Sequence, residues 1–260
     1  MATLLAAQRQ SLVIERLRTD GAVRVSELTR ELAVSEMTVR RDLDQLAARG
    51  LCRKVHGGAC LAPSTAEEPG FAAKSGAELA AKQAIGRAAA ALVRPGQSVG
   101  ISGGTTSYWV AVELARRAAR DQITVVTNSL PAAEALAGQA PAQVILTGGT
   151  PTPSQALVGP VAEASLARFH LDWLFLGVHG LDPQAGLTTP NLAEAATNQA
   201  FMAAARATAV TADASKWGVT ALAQIAPLSR IAGLVSDGPP PPGAATAARR
   251  HHIDLTIAKD

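Results

Sequence analysis

The chain has 260 residues, of which 48% are hydrophobic and 17% charged, so it is long enough for two compact domains and too apolar for an intrinsically disordered protein. Aromatic residues reach only 3%, too few to build a stacking surface for single-stranded nucleic acid. The two cysteines, Cys52 and Cys60, lack the spacing of a zinc or redox pair and favour a reducing cytoplasm. Since no apolar run reaches about 18 residues, the sequence predicts no membrane partner.

The net charge of +3 lies entirely in the first 60 residues. That segment holds ten Lys and Arg against seven Asp and Glu, whereas the other 200 residues hold fourteen of each sign. Such asymmetry is typical of a nucleic-acid-binding module attached to a neutral domain. A surplus of three charges is small, so the local pattern of residues has to decide the question.

The first 50 residues carry the periodicity of three short helices. Val13 and Leu17 recur at helical spacing, and Ser26 and Ser35 are the predicted caps of the second and third helices. The third helix ends at Gly50. A tight turn between the last two helices predicts a helix-turn-helix, whose third helix is the one that reads base edges in DNA.

The third helix has one apolar face. Val39, Leu43 and Leu46 form its predicted buried stripe. The residues left outside that stripe are Met37, Thr38, Arg41, Asp44 and Gln45, with Arg40 at the flank. Taken alone, the two arginines fit an ordinary solvated helix face as well as a DNA contact. Residues 51–55 followed by two glycines predict the hairpin of a wing.

Residues 34–43, Val-Ser-Glu-Met-Thr-Val-Arg-Arg-Asp-Leu, resemble the signature of DeoR-type bacterial transcription regulators. The likeness continues upstream to Arg9 and downstream through the wing to Ala59. It implies binding to double-stranded operator DNA, and arginine suits both phosphate and the O6/N7 edge of guanine. The implied DNA contacts are Ser35, Met37, Thr38, Arg40, Arg41, Lys54 and His56, with Met37 a source of site preference. Asp42 is interpreted as structural, paired with a neighbouring arginine.

Residues rich in Pro, Gly and small polar side chains divide the rest of the chain. We predict a winged helix-turn-helix domain at 1–60, a linker at 61–76 and an effector-sensing α/β domain at 77–260. A second breaker-rich stretch, residues 237–242, precedes a tail that is interpreted as a short helix and an edge strand.

From residue 77 helical and apolar segments alternate. After a helix over 77–93, the predicted strands are 98–101, 123–126, 143–146, 173–178, 208–211 and 231–235. Runs that are apolar on both faces indicate an α/β domain with a mostly parallel, covered sheet. Ligands of such sheets bind beyond the carboxyl ends of the strands.

Three of these strand ends carry small polar loops, the first of which is Ser-Gly-Gly-Thr-Thr-Ser over 102–107. Its glycines let the backbone approach a ligand, and the N–H groups that open the next helix favour an anion, so the loop predicts phosphate binding. An ordinary strand-to-helix turn accounts for the same glycines. The loop is neither a Walker A sequence nor a dinucleotide fingerprint, and we predict no cofactor.

These loops resemble the effector domain of the DeoR family, which is similar in fold to ribose-5-phosphate isomerase, glucosamine-phosphate isomerase and CoA transferases. The implied effector contacts are Lys82, Ser102, Gly104, Thr105, Thr106, Asn128, Gly148, Gly149, His179, Glu194, Asp213 and Lys216. In this scheme residues 104–106 hold the phosphate and the two lysines supply positive charge. Asn128, Glu194 and Asp213 contact hydroxyls. Two alternatives to effector binding stay open. In these, the lysines are ordinary solvent-exposed residues, and the histidine is an ordinary loop residue.

Two positions depart from the family pattern. Ser102 stands where the family often has Asp, and Asn198 stands where it often has Lys, four residues after Glu194. A site with one carboxylate and one ammonium fewer favours a different sugar phosphate, so the resemblance does not identify the effector.

The resemblance implies a repressor of a carbohydrate catabolic operon that is relieved by a phosphorylated sugar or related metabolite. It implies a dimer or tetramer in the bacterial cytoplasm, on the nucleoid when bound to DNA, without enzymatic activity or a metal site. One alternative is a sugar-phosphate isomerase-like enzyme with an appended DNA-binding domain, which needs a carboxylate base such as Asp182 or Glu194. The other is an activator or a DNA-binding protein that responds to no effector.

Overall fold

The computed structural model describes residues 5–48, 51–55, 57–61, 68, 70–117, 120–137 and 143–259. The chain forms two compact units, residues 1–64 and 65–260, each with its own apolar core. In the described ranges, no helix combines the length and the apolar character that a bilayer span requires.

The first unit is a winged helix-turn-helix. Its elements are α1 (Ala6–Asp20), β1 (Ala22–Arg24), α2 (Val25–Leu32), α3 (Glu36–Ala48), β2 (Cys52–Val55) and β3 (Gly58–Leu61). The strands form an antiparallel sheet in the order β1-β3-β2. The three predicted helices and the predicted wing hairpin are confirmed. Strand β1 was not predicted, because three residues are too few to show an alternating pattern.

The core of the first unit uses the predicted stripe of α3. Val39, Leu43 and Leu46 are at most 1% exposed and pack against apolar residues of α1 and α2. The second helix begins at Val25, one residue before the predicted cap Ser26. The backbone N–H of Val25 donates to the carbonyl of Gly57 in the wing, and this bond fixes where the helix starts.

The second unit is an α/β domain. Its helices are α4 (Phe71–Ser75), α5 (Leu79–Ala91), α6 (Thr105–Ala115), α7 (Leu130–Ala137), α8 (Pro160–Leu166), α9 (Leu192–Ala204) and α10 (Pro242–Arg250). Its strands are β4 (Ser98–Ile101), β5 (Thr124–Thr127), β6 (Gln143–Leu146), β7 (Thr150–Pro151), β8 (Leu157–Val158), β9 (Leu171–Gly177), β10 (Gly180–Asp182), β11 (Gly186–Thr189), β12 (Ala205–Thr211), β13 (Ala223–Ala226), β14 (Gly233–Ser236) and β15 (Asp254–Ile257). Short 3-10 helices span Ala214–Lys216 and Leu228–Arg230.

Seven of these strands form one parallel sheet in the order β15-β14-β12-β9-β4-β5-β6. Successive residues of a strand point to opposite faces, as Leu174 and Phe175 do. Ile85 of α5 belongs to the apolar cluster on one face, and Phe201 of α9 to the cluster on the other. The parallel sheet, covered on both faces, confirms the predicted fold class.

The strand bounds follow the sequence closely. β4 and β6 have the predicted bounds, while β9 and β12 begin two and three residues earlier than predicted. The tail forms α10 and the edge strand β15, as the alternation predicted. Two small antiparallel arrangements, β7-β8 and β10-β11-β13, were not predicted. The strands β7 and β8 have only two residues each, and polar residues in β10, β11 and β13 leave no apolar run.

The segment assigned to the linker, 61–76, is partly folded. Residues 71–75 form α4, and Glu68 makes hydrogen bonds within the second unit. Positions 62–67 and 69 of that segment lie outside the described residues.

Candidate functional site

The recognition helix α3 begins with a side-chain cap. The hydroxyl of Ser35 accepts a hydrogen bond from the backbone N–H of Thr38 at 3.2 Å, and the two hydroxyl oxygens lie 2.9 Å apart. Such a cap satisfies a donor that the first turn of a helix leaves without a partner. Ser35 and Thr38, both predicted DNA contacts, therefore also fix the start of the helix.

The other predicted DNA contacts differ in their surroundings. Met37 is 74% exposed at the start of α3, and Arg40 forms an exposed ion pair with Glu36 at 3.5 Å. Lys54, on β2 of the wing, pairs with Asp44 of α3. Within the described part of the chain Arg41 is exposed and has no ion-pair partner, so its guanidinium is available for DNA. His56 lies outside the described residues.

Asp42 is structural, as predicted. It is buried, and its carboxylate accepts hydrogen bonds from Nε and Nη2 of Arg9 at 2.8 and 3.2 Å. This contact joins α1 to α3 and holds the recognition helix on the rest of the unit.

In the second unit, the predicted phosphate loop lies at the carboxyl end of β4. Gly104 precedes α6 with φ at +141°, a conformation that side chains disfavour. Thr105 and Thr106 are buried in the first turn of α6. Because the first N–H groups of a helix have no acceptor within the helix, this turn can bind an anion.

Ser102 and Asn128 shape this loop from within. The Ser102 hydroxyl accepts a hydrogen bond from the N–H of Gly177 at 2.9 Å. The Asn128 amide accepts from the N–H of Gly103 at 2.9 Å and donates to the carbonyl of Leu157 at 2.9 Å. Both side chains therefore bind neighbouring strand ends together.

Three lysines of the second unit, Lys74, Lys82 and Lys216, lie close to one another. Lys82 of α5 is only 2% exposed, and its ammonium donates to the backbone carbonyl of Lys74 at 2.6 Å. Burial lowers the pKa of Lys82, while Asp213 opposes that shift and Lys216 adds to it. Burial also lowers the pKa of Lys74, which Glu194 opposes. In the ranges that the structure describes, none of the three ammonium groups forms an ion pair. An anionic ligand could therefore form ion pairs with them.

Glu194 lies in the first turn of α9 and accepts hydrogen bonds from three hydroxyls. Thr152 donates to Oε1 and Thr189 to Oε2, each at 3.0 Å, and Ser154 also donates to Oε1. Burial raises the pKa of Glu194, and the neighbouring carboxylate of Glu68 raises it further.

Glu68 is a site residue that the sequence reasoning missed. Its Oε2 accepts from Nδ2 of Asn191 at 2.7 Å, and its Oε1 accepts from the N–H of Ser154 at 3.2 Å. Burial acts to raise the pKa of Glu68, but these hydrogen bonds outweigh it and the pKa is lowered. Glu68 and Lys74 both lie in residues 61–76. The Pro and Gly content of that segment predicted a linker, so neither residue was considered as part of a site.

Asp213 precedes the 3-10 helix at the end of β12. Its Oδ1 accepts from the N–H and the hydroxyl of Ser215. Its Oδ2 is buried without a hydrogen-bond partner, as are Thr211 Oγ1 and Trp217 Nε1 among the described side chains. A buried polar atom without a partner is costly, and a bound ligand can satisfy it.

The remaining predicted contacts lie in backbone turns. Gly148 and Gly149 follow β6 with positive φ, and a side chain at Gly149 would collide with the backbone of Val158 at 2.6 Å. His179 follows β9, and its N–H donates to the carbonyl of Thr188 at 3.1 Å. Neither observation places a side chain in the lysine and carboxylate cluster.

A winged helix-turn-helix with an exposed arginine on its recognition helix, together with an α/β unit that holds a buried charged cluster, defines a DNA-binding regulator with a sensor domain. Comparison with known proteins gives the family. The model of the DeoR-like helix-turn-helix domain matches residues 9–65, and that of the DeoR C terminal sensor domain matches residues 77–238. The chain belongs to the DeoR family of transcription regulators.

Two relatives illustrate the likeness. The chain is 37% identical over 237 residues to the HTH-type transcriptional regulator GlpR of Haloferax volcanii, covering 90% of this chain and 91% of that one. It is 30% identical over 252 residues to the glycerol-3-phosphate regulon repressor of Escherichia coli K12, covering 96% and 98%. Among solved structures, ribose 5-phosphate isomerase A of Methanocaldococcus jannaschii aligns with a TM-score of 0.39 and 19% identity, over 52% of this chain and 53% of that one.

Proposed function

We propose that the protein represses a carbohydrate catabolic operon and releases its operator when a phosphorylated sugar binds in the second unit. The observation that carries this proposal is the gathering of Lys74, Lys82 and Lys216 without an ion pair among the described residues, with Lys82 almost fully buried. A buried ammonium that no carboxylate contacts directly is unfavourable, and a phosphate oxygen would supply a direct ion pair.

The carboxylates next to the lysines suit the rest of a sugar. Glu194 and Glu68 present carboxylate oxygens to which hydroxyl groups can donate, and Oδ2 of Asp213 has no hydrogen-bond partner among the described residues. The cluster therefore offers both ammonium groups for a phosphate and carboxylate oxygens for hydroxyls, which are the groups that a phosphorylated polyol requires. The name of the E. coli relative, a glycerol-3-phosphate regulon repressor, supports the same ligand class.

The test is an anisotropy titration of labelled DNA from the region upstream of the protein's own gene. We expect one of glycerol 3-phosphate, ribose 5-phosphate and glucosamine 6-phosphate to weaken binding by about 5–150-fold, the usual range of such couplings. The unphosphorylated compounds should have no effect. Lys82→Met should abolish the response, whereas Lys259→Met, which changes an exposed lysine of the tail, should preserve it.

A response that survives in Lys82→Met would place the ligand elsewhere. Tighter rather than weaker DNA binding in the presence of the sugar phosphate would contradict relief by the effector. Higher transcription with the protein than without it would identify an activator instead of a repressor.

We further propose that the protein has no enzymatic activity. Asp182, one base that an isomerase would use, instead accepts hydrogen bonds from the N–H groups of Gln184 and Ala185 and closes the β10-β11 turn. Steady turnover of ribose 5-phosphate or glucosamine 6-phosphate by the purified protein would contradict this.

Operator binding should require two or more copies of the protein. A surplus of three positive charges in the first 60 residues is small for tight binding by one domain, and paired domains on two half-sites act together. Sedimentation of the complex is expected to show an even number of chains for each operator. Tight binding of a single chain at physiological salt would contradict the proposal.

A further inference from the structure

Two charged groups of the candidate site lie on a short segment that we call the strap, defined as Glu68 and residues 70–75. The strap follows directly on the boundary between the two units at residues 64–65. The hydrogen bonds of Glu68 to Asn191 and Ser154 fasten its start to the second unit. It is therefore the part of the sensor that lies nearest in sequence to the DNA-binding unit.

The rest of the strap is also held at the site. The N–H of Phe71 donates to the carbonyl of Pro153 at 3.1 Å, and its ring meets that of Tyr108 on α6 edge to face, with centroids 5.8 Å apart. The carbonyl of Lys74 accepts from the buried ammonium of Lys82. The strap thus contacts the α6 helix, the loop before β8 and one of the predicted phosphate-binding lysines.

We infer that the effector binds directly to the strap, with Lys74 contacting its phosphate and Glu68 its hydroxyls, and that this contact transmits occupancy of the site to the DNA-binding unit. The inference rests on the proposed function and adds two binding residues and a route of coupling to it.

The charges around the strap favour a ligand-binding role for Glu68 and Lys74 over a purely structural one. The Lys74 ammonium faces Glu194, Glu68 and Lys216 without forming an ion pair in the described part of the chain. The carboxyl groups of Glu68 and Glu194 are neighbours, and two adjacent carboxylates repel each other when both are ionised. Hydroxyls of a ligand that donate to both carboxylates offset that repulsion.

The effector would therefore hold the strap more firmly than the empty site does. Allosteric coupling needs this kind of difference, because a ligand shifts an equilibrium only through contacts that differ between the two states. The strap lies a few residues from the first unit in sequence, and the inferred route of coupling runs through the chain between them.

The test compares Glu68→Gln with Thr189→Val. The glutamine keeps the size of Glu68 but has one acceptor oxygen and one NH₂ group, where Asn191 and the N–H of Ser154 both donate. Thr189 contacts Glu194 and is not on the strap. For each variant, calorimetry measures the affinity of whichever of the three sugar phosphates releases the operator from the wild-type protein. Anisotropy then gives the operator affinity with and without saturating amounts of that compound.

At saturation, Glu68→Gln should lose most of the coupling, a reduction of about fivefold or more in the ratio of the two operator affinities. Thr189→Val should need more effector but then reach the wild-type ratio. Wild-type coupling in saturated Glu68→Gln would overturn the inference while leaving the proposed function intact. If the wild-type protein binds none of the three compounds, the inference and the proposed function are both wrong.

Hydrogen exchange of the wild-type protein provides a second readout, which holds even if Glu68→Gln binds no effector. The amides of residues 70–75 are expected to exchange several-fold more slowly when the effector is bound. An unchanged exchange rate in the strap, with slower exchange around Glu194, would show that the effector binds without engaging the strap and would overturn the inference.

Discussion

Asp42 is a charged residue on the recognition helix whose role is to hold the helix in place. The side chains of Asp42 and Arg9 are 5% and 12% exposed, so removal of the Asp42 carboxylate breaks a largely buried ion pair. We expect Asp42→Ala to lower the free energy of unfolding of the first unit by about 3–5 kcal/mol, measured by urea denaturation and circular dichroism. Asp44→Ala, which breaks the exposed pair with Lys54, should cost at most about 1 kcal/mol. Similar losses in both variants would contradict this assignment.

Arg41, next to Asp42 in the sequence, is expected to contribute to DNA binding and not to the stability of the unit. Arg41→Ala should weaken operator binding by about 1–3 kcal/mol if the guanidinium reads a base, or lower the salt slope by about one unit if it holds a phosphate. Arg250→Ala, an exposed arginine of α10, is the control and should change neither quantity. Anisotropy titrations at several salt concentrations measure both. Unchanged affinity and slope in Arg41→Ala would refute the contact.

Glu194 gives the second unit a pH dependence with a defined sign. Because burial raises its pKa above the ordinary value of 4.5, the folded state binds more protons than the unfolded state in the window above pH 4.5. The contribution of Glu194 to stability is therefore full below that value and is lost as the pH rises through the raised pKa. The lowered pKa of Glu68 has the opposite effect, in a window below pH 4.5.

The difference in unfolding free energy between the wild-type protein and Glu194→Gln should accordingly shift against the wild type as the pH rises above 4.5. Urea denaturation at a series of pH values, followed by tryptophan fluorescence, measures it, since all three tryptophans lie in the second unit. A difference that stays constant over that range would show that Glu194 titrates normally.

At the scale of elements, the packing of α5 on α6 depends on Gly86. A Cβ at this position would lie 2.7 Å from the backbone of Trp109, closer than real contacts allow. Gly86→Ala should therefore destabilise the second unit by about 1–3 kcal/mol through overpacking, although alanine is the better helix former. Gly243 lies in α10 with open space around it, so Gly243→Ala should stabilise by about 0.5–1 kcal/mol. Thermal unfolding should show a lower melting temperature for Gly86→Ala and a higher one for Gly243→Ala. Two changes of the same sign would contradict the packing argument.

The elements that the sequence predicted well are those with a long or repeated pattern. The stripe of Val39, Leu43 and Leu46 and the apolar runs of β4 and β6 depend on residues close together in the chain. The strands β10, β11 and β13 have three or four residues, about as many as β4 and β6, but polar residues within them leave no apolar run. Glu68 and Lys74 escaped prediction for a different reason. Asn191, the partner of Glu68, lies far along the chain, so no local pattern indicates that pairing. Lys74 lies in a stretch whose Pro and Gly content predicted a linker.

At the scale of the whole molecule, the proposed repression requires that the two units influence each other equally in both directions. If a sugar phosphate lowers operator affinity by some factor, the operator must lower sugar phosphate affinity by the same factor, because both describe one thermodynamic cycle. We therefore expect calorimetric titrations with the active compound, with and without saturating operator DNA, to differ by the factor that anisotropy gives, about 5–150-fold. Glu68→Gln should reduce both factors together. An effector affinity that operator DNA leaves unchanged would show that the sugar phosphate acts on DNA binding by some route other than equilibrium coupling through the sensor.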